Sequence, residues 1–417
     1  MPLYRILVTL FALWECLRCS LTGQLGALRP RLGFHRPGSD HPHIWLHAAS
    51  NGELASAKPV VERLRDLRPD LPLLITCNTE SGVALARSWG LDGLTAHLAP
   101  LDLAWVSRGV HRRWQVAAHI TMESELWPHR ILSCPGPVVL LGARLTARTA
   151  KGWARFGGLA RAILARVALL IAQDAGSAGR FVDLGLSPQH LGPVVDLKSF
   201  YARPDQTPSD ALRAAFPRAD TWLAASTHDG EDEIVLDAHL TARAADPALR
   251  LILAPRHPRR AEAIRALAVA RGLTCALRSR DEPFATADVY IADTMGEMAL
   301  WYALAGRVFV AGTLTDRGGH TPYEPAAFGA ALIHGPDVRN FAAAFAQLDR
   351  AQAAVEISDA GELAQALSDL RAPKRMAEAD ARAKQALRQD ADLDGVVERI
   401  ASLLPPATLA ILEPSSE

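Results

Sequence analysis

The chain has 417 residues, 49% of them apolar and 22% charged, with 45 basic side chains against 45 acidic ones. That length implies two domains, each with a core of its own, and the composition excludes a disordered or fibrous protein. Zero net charge excludes a general nucleic-acid binder, which needs a basic excess or stripe. Five cysteines make no disulfide framework in so long a chain. Cys16 and Cys19 form a C-x-x-C, but neither a second pair nor a nearby histidine completes a zinc site, and isolated thiols suit a reducing compartment.

In chain order, the first feature is LYRILVTLFALWECL, Leu3 to Leu17, which predicts a helix. Its uninterrupted apolar part, Ile6 to Trp14, is far short of the ~20 residues that span a bilayer. No small-residue cleavage site follows, so no removed signal peptide is expected. Arg18, Arg29, Arg31 and Arg36 come next, with no acid between Glu15 and Asp40. Two readings are open for residues 1–36: a helix and basic segment lying in the interface of an anionic membrane, or a helix packed on its own domain.

From Ile44 short apolar runs alternate with amphipathic stretches, the pattern of buried parallel strands and covering helices. The runs at 43–48, 71–77, 116–121, 137–143 and 168–173 predict five strands in the first half. Between the first two, a helix is expected from about Leu54 to Leu67, ended by Pro69. The Pro-rich stretch 201–210 predicts a linker. Five more strands are expected at 221–226, 249–255, 288–293, 307–312 and 330–335. The predicted class is α/β, with two doubly wound Rossmann-like domains at 37–200 and 211–417, the last helices being free to pack back on the first domain. Ligands of such folds sit beyond the carboxyl ends of the strands.

The unusual residues lie there. After the first strand, Ser50-Asn51-Gly52-Glu53 opens a helix. Ser50 and Glu53 satisfy a capping box, and a glutamate at that mouth also stands where a general base belongs. After the third, Glu123 and Glu125 flank Ser124 beside Trp127 and Pro128, a crowding that calls for a partner or a task. A salt bridge to Arg144 or Arg148 is the structural option.

In the second half Ser226-Thr227-His228 closes a strand with hydroxyls, ahead of Glu231, Asp232 and Glu233, read as ordinary helix-start acids. Arg256-His257 follows the next strand, and the arginine is well placed for an oxyanion. Met295-Gly296-Glu297 is a glycine-containing helix start. In Gly318-Gly319-His320 the glycines would let a ligand approach the backbone, and Glu324 could accept from ribose hydroxyls. Each alone is ordinary turn chemistry; four in one domain suggest a nucleotide site. Neither a Walker motif nor a G-x-G-x-x-G occurs, and no His/Asp cluster suggests a metal.

The blocks HAASNGE, MESELWP, LGARLTART, AASTHDGEDE, LILAPRHPRR, ADTMGEMALWYALA, VFVAGTL, GGHTPYEPAAFG and HGP run collinearly from Trp45 to about Asn340. In them the chain resembles the 3-deoxy-D-manno-octulosonic acid (Kdo) transferases of lipopolysaccharide assembly, which have the GT-B fold. The resemblance implies transfer of Kdo from CMP-Kdo to a lipid A precursor, inverting, with no metal and no cofactor besides the donor. It implies Glu53 as general base, with Ser50, Asn51, Gly52, Glu123, Glu125 and Arg144 around the acceptor. Ser226, Thr227, Arg256, His257, Met295, Gly296, Glu297, Gly318, Gly319, His320 and Glu324 would form the CMP side, across a cleft between the domains. It also implies work at the cytoplasmic face of a Gram-negative inner membrane, with Arg29, Arg31 and Arg36 near the acceptor phosphates.

Three departures stand out. Asn51 replaces the valine of the usual S-V-G-E, Asp196 to Phe200 lacks the asparagine of the usual N-L-K-F, which puts the role of Lys198 in doubt, and Thr321 replaces the asparagine of GGHNxLEP. A divergent acceptor, a GT-B transferase or epimerase for another activated sugar, and a non-catalytic lipid-binding paralogue are the competing functions. No motif encodes the number of Kdo residues added or the oligomeric state.

Overall fold

All ten expected strands form, because each run is apolar on both of its faces and both are covered. In β1 (His43–Ala48) Ile44, Leu46 and Ala48 join one core cluster while Trp45 enters another on the opposite side. In β7 (Thr221–Thr227) Leu223 and Ala225 face one cluster and Trp222 and Ala224 the other. Period-two alternation between two apolar layers is what a parallel sheet covered on both faces requires.

The structure is a computed structural model that describes residues 2–23, 25–201, 203, 206–387 and 392–406. The chain divides into two compact units, residues 1–200 with the segment from 390 onward, and residues 201–389. Residues 202, 204 and 205 of the expected linker lie outside the described residues, and its last residue, Asp210, already opens the helix Asp210–Ala215 under the Ser209 cap.

In the first unit β1, β2 (Leu73–Cys77), β3 (Leu94–Leu98), β4 (Val116–Met122), β5 (Val138–Ala143) and β6 (Val167–Ala172) form a parallel sheet of order β3-β2-β1-β4-β5-β6. The second unit has a parallel sheet of order β13-β12-β11-β7-β8-β10-β9. It is made from β7, β8 (Arg250–Pro255), β9 (Cys275–Leu277), β10 (Val289–Ile291), β11 (Arg307–Val310), β12 (Ala331–His334) and β13 (Ala354–Glu356). Strand order reverses between β1 and β4 in one sheet and between β7 and β11 in the other. At such switch points the loops part and leave a crevice.

The sequence reading missed β3, β9 and β13, all at sheet edges. β9 and β13 have three residues each, and β3 is half-exposed, so none carries the long apolar run that a central strand needs. The last helix among the described residues, Leu393–Ala401, packs on the helix Asn51–Leu67 of the first unit through Val396, Val397 and Ile400.

The N-terminal helix runs from Pro2 to Leu21 and packs on its own unit. One stripe, Val8, Ala12, Glu15 and Cys19, is buried against the unit, and the Tyr4 hydroxyl donates to the buried Asp102 at 2.6 Å. The rest of its apolar surface, including Ile6, Leu10, Leu13, Trp14 and Leu17, is exposed. No helix among the described residues is long and apolar enough to cross a membrane. The five cysteines are free; Cys19, Cys77 and Cys134 are buried, and burial pushes the Cys77 thiol up to about 12.

Candidate functional site

Glu53 enters the first turn of the helix Asn51–Leu67, which follows β1 directly. Ser50 caps that helix, its hydroxyl accepting from the Glu53 amide at 3.2 Å. The carboxylate reaches back one residue further than a capping box does: it accepts from the Ala49 amide at 2.8 Å and the Ser50 hydroxyl at 3.1 Å. The side chain is thereby held in one orientation at the mouth of the sheet. Burial, against the lowering effect of the Ala49 amide and Ser50 hydroxyl and helped by the charges of Glu123 and Glu125, pushes its pKa from 4.5 up to about 7. Asn51 and Gly52 lie exposed beside it, and the Asn51 side-chain oxygen accepts from Ser81 at 3.3 Å.

The neighbouring carboxylates come from β4, across the switch point. Glu123 follows that strand with φ 48°, a left-handed conformation unfavourable to a side chain, and its amide still donates to Leu141. Neither glutamate uses Arg144 or Arg148. Glu123 pairs with Lys198, Nζ to Oε1 at 3.2 Å, so the lysine whose role the sequence left open belongs to this cluster. Arg144 contributes its backbone carbonyl, which accepts from Ser124. Glu125 accepts from the Trp127 indole at 2.6 Å and lies 3.4 Å from Nε2 of the buried His47.

Burial pushes His47 down to about 4, so its ring is neutral near pH 7 and carries one proton. Its Nδ1 is 3.0 Å from both the Thr76 carbonyl and the Thr76 hydroxyl, while Nε2 faces Glu125. Burial alone would raise Glu125, but His47, Trp127 and the Arg130 charge hold it below the ordinary carboxylate range. Arg130 is itself buried, its guanidinium 5.0 Å from the Trp45 ring and 5.7 Å from that of Trp127. The result is two carboxyls pushed in opposite directions by their surroundings. Replacing Glu123 by Gln removes one of the charges that raise Glu53. The acid limb of the pH–rate profile is therefore expected to move to lower pH, and an unmoved limb would show that Glu53 does not feel this neighbour.

In the second unit the candidates sit at the ends of four adjacent strands, β11, β7, β8 and β10. Ser226 interrupts β7 with φ 64°, and the register shifts there, a bulge that re-aims the following residues. The Thr227 carbonyl accepts from the Arg256 amide at 3.0 Å, tying the β7 and β8 ends together. His228 Nε2 lies 3.0 Å from His320 Nε2, the rings parallel, so the β7 and β11 loops meet over the switch point. One of these nitrogens donates and the other accepts. Burial, with the Arg256 charge among the smaller causes, pushes both histidines down to about 4. Arg256 and His257 are exposed, and Met295 is 69% exposed.

Three expectations need correction. Glu231 is not an ordinary helix-start acid: it is buried, and its carboxylate accepts from the amides of His228, Gly312, Thr313 and Leu314 at 2.8–3.1 Å. What Gly318 and Gly319 make room for here is the chain itself. Both are buried at positive φ, and a Cβ would meet Asn340 at 2.6 Å or Thr313 at 2.9 Å. Arg31 does not project freely; it donates to the carbonyls of Asn78 and Ala99, whereas Arg29 and Arg36 are exposed.

Glu297 follows Gly296, which adopts φ 85°, and receives Arg278 through two nitrogens at 2.8 and 3.1 Å. That pairing holds it below the ordinary carboxylate range. Glu324 is half-buried in the short helix Tyr323–Ala327. Among the described residues no group of three or more His, Cys, Asp or Glu side chains is placed to hold a metal ion.

Two doubly wound parallel sheets, each with polar groups gathered where its strand order reverses, make a GT-B-type fold. Solved structures show the same fold. A UDP-GlcNAc 2-epimerase from Neisseria meningitidis bound to UDP-GlcNAc matches with TM-score 0.59 over 86% of this chain and all of that one. An Anabaena protein in complex with UDP-glucose matches with TM-score 0.57 over 87% and 99%. At 11% and 13% identity these are likenesses of fold alone.

Residues 26–200 match the family model of 3-deoxy-D-manno-octulosonic-acid transferase (kdotransferase). The 3-deoxy-D-manno-octulosonic acid transferase of Haemophilus influenzae is 33% identical over 344 residues, 80% of this chain and 81% of that one. Its counterpart in Bordetella pertussis is 32% identical over 378 residues, 85% and 87%. The chain belongs to the Kdo transferase family and is a glycosyltransferase.

Proposed function

We propose that this enzyme moves Kdo from CMP-Kdo to a hydroxyl of a lipid A precursor (lipid IVA), with inversion at the anomeric carbon and without a metal ion. The observation that carries the reading is Glu53, a fixed carboxyl at the β1 mouth whose pKa, about 7, suits a general base. The acceptor oxygen forms a bond to the anomeric carbon as its proton passes to Glu53. The bond from that carbon to the phosphate oxygen breaks, and CMP departs with the electron pair.

Arg256 stands ready for the leaving phosphate, with Ser226, Thr227, His257 and His320 around it and Met295, Gly296, Glu297, Gly318, Gly319 and Glu324 shaping the nucleotide site. Ser50, Asn51, Gly52, Glu123, Glu125 and Arg144 border the acceptor. The exposed apolar face of the helix Pro2–Leu21, with Arg29 and Arg36, supports a peripheral position on the cytoplasmic face of an anionic inner membrane.

Mass spectrometry of a lipid A precursor incubated with the enzyme and CMP-Kdo tests the reading directly. A product heavier by one or more Kdo residues is expected, and unchanged acceptor would overturn it. Arg256→Ala is expected to weaken CMP binding, followed by calorimetry, by roughly tenfold to a hundredfold, the loss of one charge-assisted contact. CMP affinity within twofold of the parent would remove Arg256 from the donor site.

A further inference from the structure

The N-terminal helix meets the helices Ala147–Ala154 and Gly157–Leu164 along a groove of about 580 Å³ in the first unit. Leu3, Leu7, Trp153, Phe156 and Leu159 line it with apolar surface, and Gly152 and Gly158 line it as well. Gly152 and Gly158 are not there to relieve the chain: neither has a positive φ, and a Cβ added at either meets nothing within 4 Å. The space they leave is unclaimed by the protein.

Charge marks one kind of occupant. Residues 147–164 carry Arg148, Lys151, Arg155 and Arg161 and no acid, and Arg155 itself lines the groove. The helix Ala147–Ala154 follows β5, leaving the same carboxyl edge of the sheet from which Glu53 and Glu123 emerge. Ser124, between the two glutamates, is bonded to the Arg144 carbonyl in the connection that leads to it.

We infer that this groove binds one acyl chain of the phosphorylated glycolipid acceptor, with an acceptor phosphate met by Arg155 and Lys151. The inference rests on the proposed function and adds a subsite to it. An apolar slot lined by one arginine, on helices that carry further cations and no acid, fits a fatty chain joined to a phosphate, and burying a chain there couples acceptor choice to chain length. The N-terminal helix thereby forms one wall of a binding site.

Trp153 reports occupancy. Its fluorescence, taken as the difference between the parent and Trp153→Phe, is measured in detergent micelles with a lipid A precursor carrying a brominated acyl chain. Phosphatidylglycerol brominated at the same depth is the comparison. The acceptor is expected to quench the Trp153 component at concentrations at least about tenfold lower than the phospholipid. Gly152→Leu, which adds a side chain to the groove lining, is expected to abolish that preference. In the same variant the ratio of kcat/KM for long-chain over short-chain acceptor is expected to fall about tenfold, the worth of roughly two buried methylenes.

Equal quenching by both lipids would make the groove a general membrane contact and overturn the inference. So would an unquenched Trp153, including one covered by a second copy of the chain in sedimentation experiments, or a preference untouched by Gly152→Leu. Quenching by the acceptor without any Kdo transfer would instead overturn the proposed function and leave the groove standing.

Discussion

Glu53→Gln is expected to lower kcat by about 10²–10⁴-fold, the usual contribution of a positioned general base, while CMP binding stays within twofold of the parent. Glutamine keeps a carbonyl oxygen that can accept from the Ala49 amide, so the helix start survives and the loss isolates the missing proton acceptor. The parent enzyme should show the complementary pH behaviour. A base works ionised, and the Glu53 pKa is about 7, so kcat/KM should rise with pH through about 7 and level off above it.

The stability linkage has the opposite sense. The folded state holds the Glu53 proton more tightly than the unfolded chain, whose pKa is the ordinary 4.5. The resulting stabilisation is complete below about 4.5 and is lost as pH rises through about 7. At pH 8 the Gln variant should therefore unfold no earlier than the parent although it barely turns over. A Glu53→Gln enzyme with near-normal kcat, or a profile flat through neutrality, would withdraw the base assignment.

Glu231→Ala is expected to destabilise the second unit by about 3–5 kcal/mol, with an unfolding midpoint lower by roughly 10 °C. The carboxylate holds four amides from two loops that lead to His228 and His320. Its removal strands those donors inside the unit and frees the loops that bring the two histidines within 3.0 Å. CMP affinity should fall in the same variant at temperatures where the unit is still folded. Glu231→Gln, which retains one acceptor oxygen, should lie between. Unfolding within 1 kcal/mol of the parent would mean that the loops hold their positions without the clamp.

How much was legible differs by element and by residue. The central strands were readable because burial on both faces demands uninterrupted apolar runs. The edge strands were not, since β9 and β13 are three residues long and β3 half-exposed. Glu53 could be singled out because capping and catalysis both favour a glutamate three residues after Ser50. Its pKa could not, because burial and the charges of Glu123 and Glu125 arrive from a fold in which β4 lies beside β1. Lys198 was left open because its partner, Glu123, stands 75 residues away in the chain. His228 and Glu231 were read past: nothing local separates a histidine at a strand end from a loop residue, or a clamp from an N-terminal acid.

Sequence by itself determined the class of fold, the two successive alternating sets and the family, because these rest on apolar periodicity and on collinear motifs, both properties of the chain order. Tertiary structure alone decided which charges feel one another: that Glu123 answers to Lys198 and not to Arg144, that Glu231 binds four amides, and that glycines 152 and 158 leave an open slot. Electrostatic coupling and free volume depend on distance in space, and parallel sheets with reversed strand order bring together residues that the chain keeps far apart.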